Sequence, residues 1–158
     1  MIIDCHGHFT TAPKTLHEWR RRQLAQPGAL GAPLVISDDE LRAALDAGQV
    51  TMQSDRGLDM TLFSPIAGQM AHHLGTLEHS IEWSMVCNDL IHRVCTLYPR
   101  NFAPVCMLPQ SPGVSPANCV EELRRCVEEL GFIGCNLNPD PSGGWWRPTT
   151  RRTSSWSG

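Results

Sequence analysis

At 158 residues, 41% hydrophobic and 18% charged, with a mean hydropathy of -0.22, the chain has the composition of a soluble globular protein with one domain. No apolar run approaches the roughly 18 residues of a membrane span, and no basic segment leads into an apolar stretch at the N-terminus, so the expected compartment is cytoplasmic. The net charge is -3, Lys14 is the sole lysine among 13 cationic side chains, and no basic face is built, which argues against a nucleic-acid partner.

The first apolar run, residues 1–8, reads as a buried strand that ends in His6-Gly7-His8. Alternation along a strand places residues i and i+2 on one face, so the two imidazoles converge, and two converging imidazoles are half of a metal site. The bland alternative is a pair of solvent-exposed or hydrogen-bonded histidines. Asp4, two residues before His6, is expected to point the same way, either orienting a ligand imidazole or pairing with a neighbouring strand. Residues 10–32 form a polar excursion holding a short helix over Leu16–Leu24, ended by Pro27-Gly28. Ser37-Asp38-Asp39-Glu40 has capping-box spacing, and the helix it starts is expected to run through Leu41 and Leu45 and stop at Gly48.

Met60–Pro65 is the second predicted strand, followed by a loop carrying His72-His73. Trp83, Val86, Leu90, Val94 and Leu97 recur at three or four residues and predict a helix from about Glu78 to Tyr98. Phe102–Pro109 is the third strand. Ser115-Pro116 starts another helix, with Val120, Leu123, Val127 and Leu130 as its apolar face and Gly131 as its end, and Phe132–Asn138 is the fourth strand. Seven cysteines without a CxxC pair are read as reduced and mostly buried, with none assigned to a metal.

Strands alternating with helices are the grammar of a parallel α/β sheet with crossover helices, used by open sheets and by (β/α)8 barrels alike. The GxGxxG of a dinucleotide fold is absent after the first strand, where His-x-His stands instead. His8, Ser64-Pro65, Leu108-Pro109 and Asn138-Pro139 all occupy strand C-terminal ends, where a barrel collects its chemistry. Four strand–helix units make half of such a barrel.

Ile3-Asp4-Cys5-His6-Gly7-His8, with Ala12-Pro13-Lys14 and Trp19-Arg20, resembles the amidohydrolase superfamily. Ala71-His72-His73, Met107–Val114 and Asn136–Gly144 are similar to the branch that contains the 4-oxalomesaconate hydratases. The resemblance runs over residues 1–146 and implies the N-terminal half of a metal-dependent (β/α)8 TIM barrel that binds one divalent metal, usually zinc. It implies His6 and His8 as metal ligands, and water addition to a small unsaturated tricarboxylate from protocatechuate or gallate breakdown. The remaining ligands and the proton-transfer groups of the family fall beyond residue 158, so no catalytic residue is assigned. A metal-dependent decarboxylase of the same superfamily is the alternative reaction, and a non-catalytic half-barrel the alternative for this polypeptide.

Lys14, Arg56, His72, His73 and Asn138 are the candidate substrate contacts. Lys14 and Arg56 are the cations a tricarboxylate would use, although each alone reads more readily as a solvated surface charge. The two histidines follow the second strand, and Asn138 shares a face with Asn136 at the end of the fourth. Residues 147–158 carry three arginines and no acid and show no apolar periodicity. They depart from the family pattern and are expected to be an aberrant, disordered tail, from a frameshift or truncated gene model or from a natural short protein. A half-barrel leaves its first and fourth strands as open edges, so homo-oligomerisation is also expected.

Overall fold

The computed structural model describes residues 1–25, 32–66 and 70–139. Four parallel strands, β1 (Ile3–His8), β2 (Met60–Ser64), β3 (Phe102–Met107) and β4 (Gly134–Asn136), lie side by side in sequence order. All three strand pairs are parallel, so every connection crosses over, as the alternating pattern requires. The fold is half of an α/β barrel. The expected tail and the Pro27-Gly28 stop lie outside the described residues.

The helices are α1 (Lys14–Ala25), α2 (Asp38–Leu45), α3 (Thr51–Asp55), α4 (Leu77–Leu97) and α5 (Val120–Arg124). α4 is the backbone of the packing. It starts with a reciprocal cap between Thr76 and His79 and lays Trp83, Cys87, Leu90, Ile91 and Val94 onto the sheet. Trp83 stacks on Trp19 of α1, with ring centroids 6.1 Å apart, and the buried Arg20 guanidinium sits 4.9 Å from the Trp83 ring. On the same side of the sheet Phe63 is fully buried between Phe9 and Phe102.

Three expectations are corrected. The helix capped by Ser37 does not stop at Gly48. It runs through one wide π-type turn (Asp46–Val50) into α3 and ends at Gly57, whose φ of 63° is left-handed. Gly48 answers a different need, since a Cβ there would lie 2.8 Å from Thr11 Cγ2. The same helix start makes only half of the capping box: Ser37 accepts from the Glu40 N–H, but the Glu40 carboxylate accepts from Thr15 Oγ1 at 2.8 Å.

The second correction concerns the last helix. Val120 and Val127 are half-exposed, while Cys119, Glu122 and Cys126 are buried. A 3₁₀ turn before α5 (Pro116–Cys119) and a π-type turn after it (Arg125–Glu129) rotate the buried face away from a regular 3.6-residue stripe. Glu122 tolerates burial because Arg125 donates to both of its oxygens and Asn88 Nδ2 donates to Oε1 at 2.7 Å. Asn88 also brackets Met107, accepting from its N–H at 2.8 Å and donating to its carbonyl at 2.9 Å, which ends β3.

Third, the first strand is not buried. Met1, Ile2 and Ile3 are exposed, and so are Ile133 and Leu137 at the other edge, by 62% and 69%. One side of β1 and one side of β4 carry no strand partner among the described residues. All seven cysteines are free, five of them buried, with Cys135 partly buried and Cys5 exposed. No described helix is long and apolar enough to cross a membrane.

Candidate metal centre

β1 and β2 run in register from Ile3↔Met60 to His8↔Ser64 only by way of an irregularity. Between Asp4 and Gly7 two residues, Cys5 and His6, face one residue, Leu62, so His6 sits in a bulge. Gly7 makes the close approach possible, because a Cβ there would lie 2.1 Å from Thr61 Cγ2 and 2.8 Å from the Leu62 carbonyl oxygen. Asp4 does not reach an imidazole. Its carboxylate accepts from the His6 backbone N–H at 3.0 Å, tying the bulge together.

The two imidazoles meet edge to face, with ring centroids 4.7 Å apart and Nε2 atoms 3.3 Å apart. Two nitrogens bound to one tetrahedral cation at about 2.0–2.1 Å stand roughly 3.3–3.4 Å apart. The donor spacing therefore fits a shared cation. Burial, and then the neighbouring His6, hold His8 below its ordinary pKa, opposed by the Pro65 carbonyl and by Asp4, which favours the neutral His8 imidazole that a metal takes. Among the described residues no group of three or more His, Cys, Asp or Glu side chains is placed to hold a metal ion. The pair offers two nitrogen donors.

Its support comes from residues to which the sequence assigned no individual role. Gln49, in the π-type turn, donates from Nε2 to the His8 carbonyl at 2.5 Å and accepts from Thr11 Oγ1 at 3.0 Å. Ser64, opposite His8 in register, lies 2.7 Å from His8 Nδ1. Gln110, after β3, accepts from the Asn138 N–H at 2.7 Å and donates to the Asn138 carbonyl at 3.3 Å, so its side-chain amide extends the β3–β4 ladder past the strand end. Side-chain amides acting on backbone leave no periodic signal. Only their place just after a strand or helix hints at the role.

Two clefts flank the histidines. One, of about 250 Å³, runs along the open side of β1 past Asp4, His6, His8, Gln49 and Gln53 to Arg56. The other, of about 240 Å³, is lined by His6, His8, Met70, Asn136, Asn138 and Pro139. Asn138 is thus brought beside the pair, together with Asn136. Arg56 shares the first cleft but caps α3, ahead of β2, at the end where strands begin. Lys14 opens α1, is exposed and lines neither cleft.

The adjacent histidines separate completely. His73 is exposed, whereas His72 is buried with Nδ1 2.7 Å from Ser80 Oγ and Nε2 without a partner among the described residues. Burial first, then Arg20 and His73, push the His72 pKa down to about 4. Ala71 before them adopts a left-handed φ of 30°, and its carbonyl accepts from Arg20 at 3.4 Å, which turns the chain so that His72 points inward.

Residues 3–153 match the amidohydrolase family model. The chain is 52% identical over 157 residues to the 2-keto-4-carboxy-3-hexenedioate hydratase of Sphingobium sp. strain NBRC 103272 / SYK-6, covering 96% of this chain and 46% of that protein. It superposes on the crystal structure of 4-oxalomesaconate hydratase from Rhodopseudomonas palustris with a TM-score of 0.83 at 49% identity, covering 92% of this chain and 44% of that one. A shorter stretch of 61 residues is 38% identical to the gamma-resorcylate decarboxylase of Rhodococcus jostii strain RHA1, covering 39% of this chain and 18% of that protein. The chain spans less than half the length of each of these relatives.

Proposed function

The chain belongs to the amidohydrolase family, and from that premise we propose that it carries half of the site of a metal-dependent hydratase acting on 4-oxalomesaconate or a closely similar unsaturated tricarboxylate. The observation that carries the reading is the 3.3 Å approach of His6 and His8 Nε2 at the C-terminal end of β1, in a chain 52% identical to a hydratase. His6 and His8 would hold a divalent cation, for which we propose zinc, and the cation would supply Lewis acidity. Asn138, whose backbone Gln110 holds, would hydrogen-bond a substrate carboxylate or carbonyl from the neighbouring cleft. Arg56 is the cation retained for a carboxylate, since it shares a cleft with the pair.

A catalytic zinc normally has three protein ligands and an open position. With two ligands among the described residues, the polypeptide by itself is proposed to bind zinc weakly and to turn over no substrate. Zinc titration and a hydration assay on the purified 158-residue chain test this. Weak binding that His8→Ala abolishes, without turnover, is expected, and tight stoichiometric zinc with turnover refutes it. The decarboxylase similarity over 61 residues favours a second reaction on the same fold, separated by assaying 2,6-dihydroxybenzoate in parallel. Seven free thiols support the reducing cytoplasm as the compartment. A second copy of the chain, related by a two-fold axis, would set β4 beside β1 and β1 beside β4 in parallel, and it is the partner proposed for the open edges.

A further inference from the structure

We propose that Ser64 is a positioning residue that fixes the His8 imidazole in its Nδ1–H tautomer and so presents the Nε2 lone pair to a cation. The inference deepens the reading of His6 and His8 as metal ligands and rests on it. His8 Nδ1 lies 2.7 Å from Ser64 Oγ and 3.2 Å from the Pro65 carbonyl oxygen. A carbonyl only accepts. The Ser64 hydroxyl can donate to the Gly7 carbonyl at 3.0 Å or to the Pro65 carbonyl at 3.4 Å, and either bond leaves an oxygen lone pair for the ring. Two acceptors therefore converge on Nδ1, and the proton resides there.

A neutral imidazole carries one ring proton. With Nδ1 protonated, Nε2 is a bare acceptor, and it is Nε2 that faces His6 Nε2 at 3.3 Å. Ser64 is itself buried, sits directly across from His8 in the β1–β2 register, and takes its orientation from the backbone of the residue between the two histidines. The loop is closed: Gly7 admits β2, β2 delivers Ser64, the Gly7 carbonyl aims the hydroxyl, and the hydroxyl aims His8. A serine that merely satisfies its own hydroxyl would leave the ring tautomer untouched when removed. That distinction makes the assignment testable without catalysis.

The experiment is long-range ¹H–¹⁵N spectroscopy of the metal-free 158-residue chain at mildly alkaline pH, paired with zinc affinity from competition with a chromophoric chelator. The expected spectrum of the unaltered chain shows His8 protonated at Nδ1 and bare at Nε2. Ser64→Ala is expected to lower the Nδ1–H fraction and to weaken zinc binding about 10-fold, the scale on which partners of metal ligands act, and Ser64→Thr to restore both. An Nε2–H His8 in the unaltered chain overturns the proposal, as does an alanine variant with unchanged tautomer and affinity. Should Ser64→Ala lose its fold, the tautomers of the unaltered chain and of Ser64→Thr decide. An Nδ1–H His8 that shifts in Ser64→Ala, in a chain that binds no zinc, upholds Ser64 as the positioning residue and removes the metal-centre reading instead.

Discussion

β2 and β3 are hydrogen-bonded on both sides and backed by aromatic packing, whereas β1 and β4 each keep one side without a strand partner among the described residues. The same parallel sheet thus contains a region where no apolar side chain of the strands is exposed, with Phe63, Phe102, Cys106 and Met107 buried, and a region where Ile3, Ile133 and Leu137 stand in the open. The covered region uses the period-3.6 face of α4 and the stacked pairs Trp19–Trp83 and Phe63–Phe102. The open region uses a bulge, a glycine and hydrogen bonds from Gln49, Ser64 and Gln110. Stability is concentrated in the middle strands, and the candidate chemistry at the outer ones, where directional polar contacts rather than packing hold the side chains.

Three measurements press on that contrast. The largest effect is expected at the covered centre. Trp83 is 1% exposed and holds both the Trp19 ring and the Arg20 guanidinium, so Trp83→Ala should cost about 3–5 kcal/mol in urea denaturation. A cost under about 1 kcal/mol would show that α1 and α4 are not the anchor described.

Acid should act between the two regions, at His72. Its folded pKa of about 4 lies below the ordinary 6.5, so the unfolded state binds more protons over that interval. The stabilisation is complete above pH 6.5 and is lost as pH falls toward 4, by up to about 3 kcal/mol. Denaturation midpoints across that range should slope steeply in the unaltered chain and flatten in His72→Gln. A variant with the same slope would place the acid sensitivity elsewhere.

The smallest effect on stability, and the largest on association, belongs to the edge. Ile3→Lys changes an exposed side chain, so within one copy it should move stability by less than about 0.5 kcal/mol. A lysine on an open strand opposes edge-to-edge pairing, and sedimentation velocity should show the variant more monomeric than the unaltered chain. Equal association states would separate the edges from oligomer formation.

The contrast also explains what was readable from residue order. α4 follows period 3.6 closely, because its environment is apolar on the face that period defines, and the central strands read as short apolar runs. His6 and His8 were readable as a strand-end pair, although the alternation expected to bring them together is interrupted by a bulge. α5 was misjudged because its buried face runs through Glu122, a residue whose burial depends on Asn88 and Arg125, one of them 34 positions away. His72 and His73 were indistinguishable in the sequence, and a left-handed Ala71 decides which of them is covered. Gly48 and Gly7 each answer a steric demand set by another segment, Thr11 in one case and Thr61 in the other.

Cys5 has a practical consequence. It is the one exposed thiol of the seven and the immediate neighbour of His6, in the bulge of β1. The unaltered chain therefore offers a single preferred attachment point for a maleimide fluorophore or a nitroxide, beside the imidazole pair, without any engineered cysteine. Quenching or paramagnetic broadening from that label would report cobalt or copper arriving at the histidines, and its accessibility would report whether another strand has come to lie along β1.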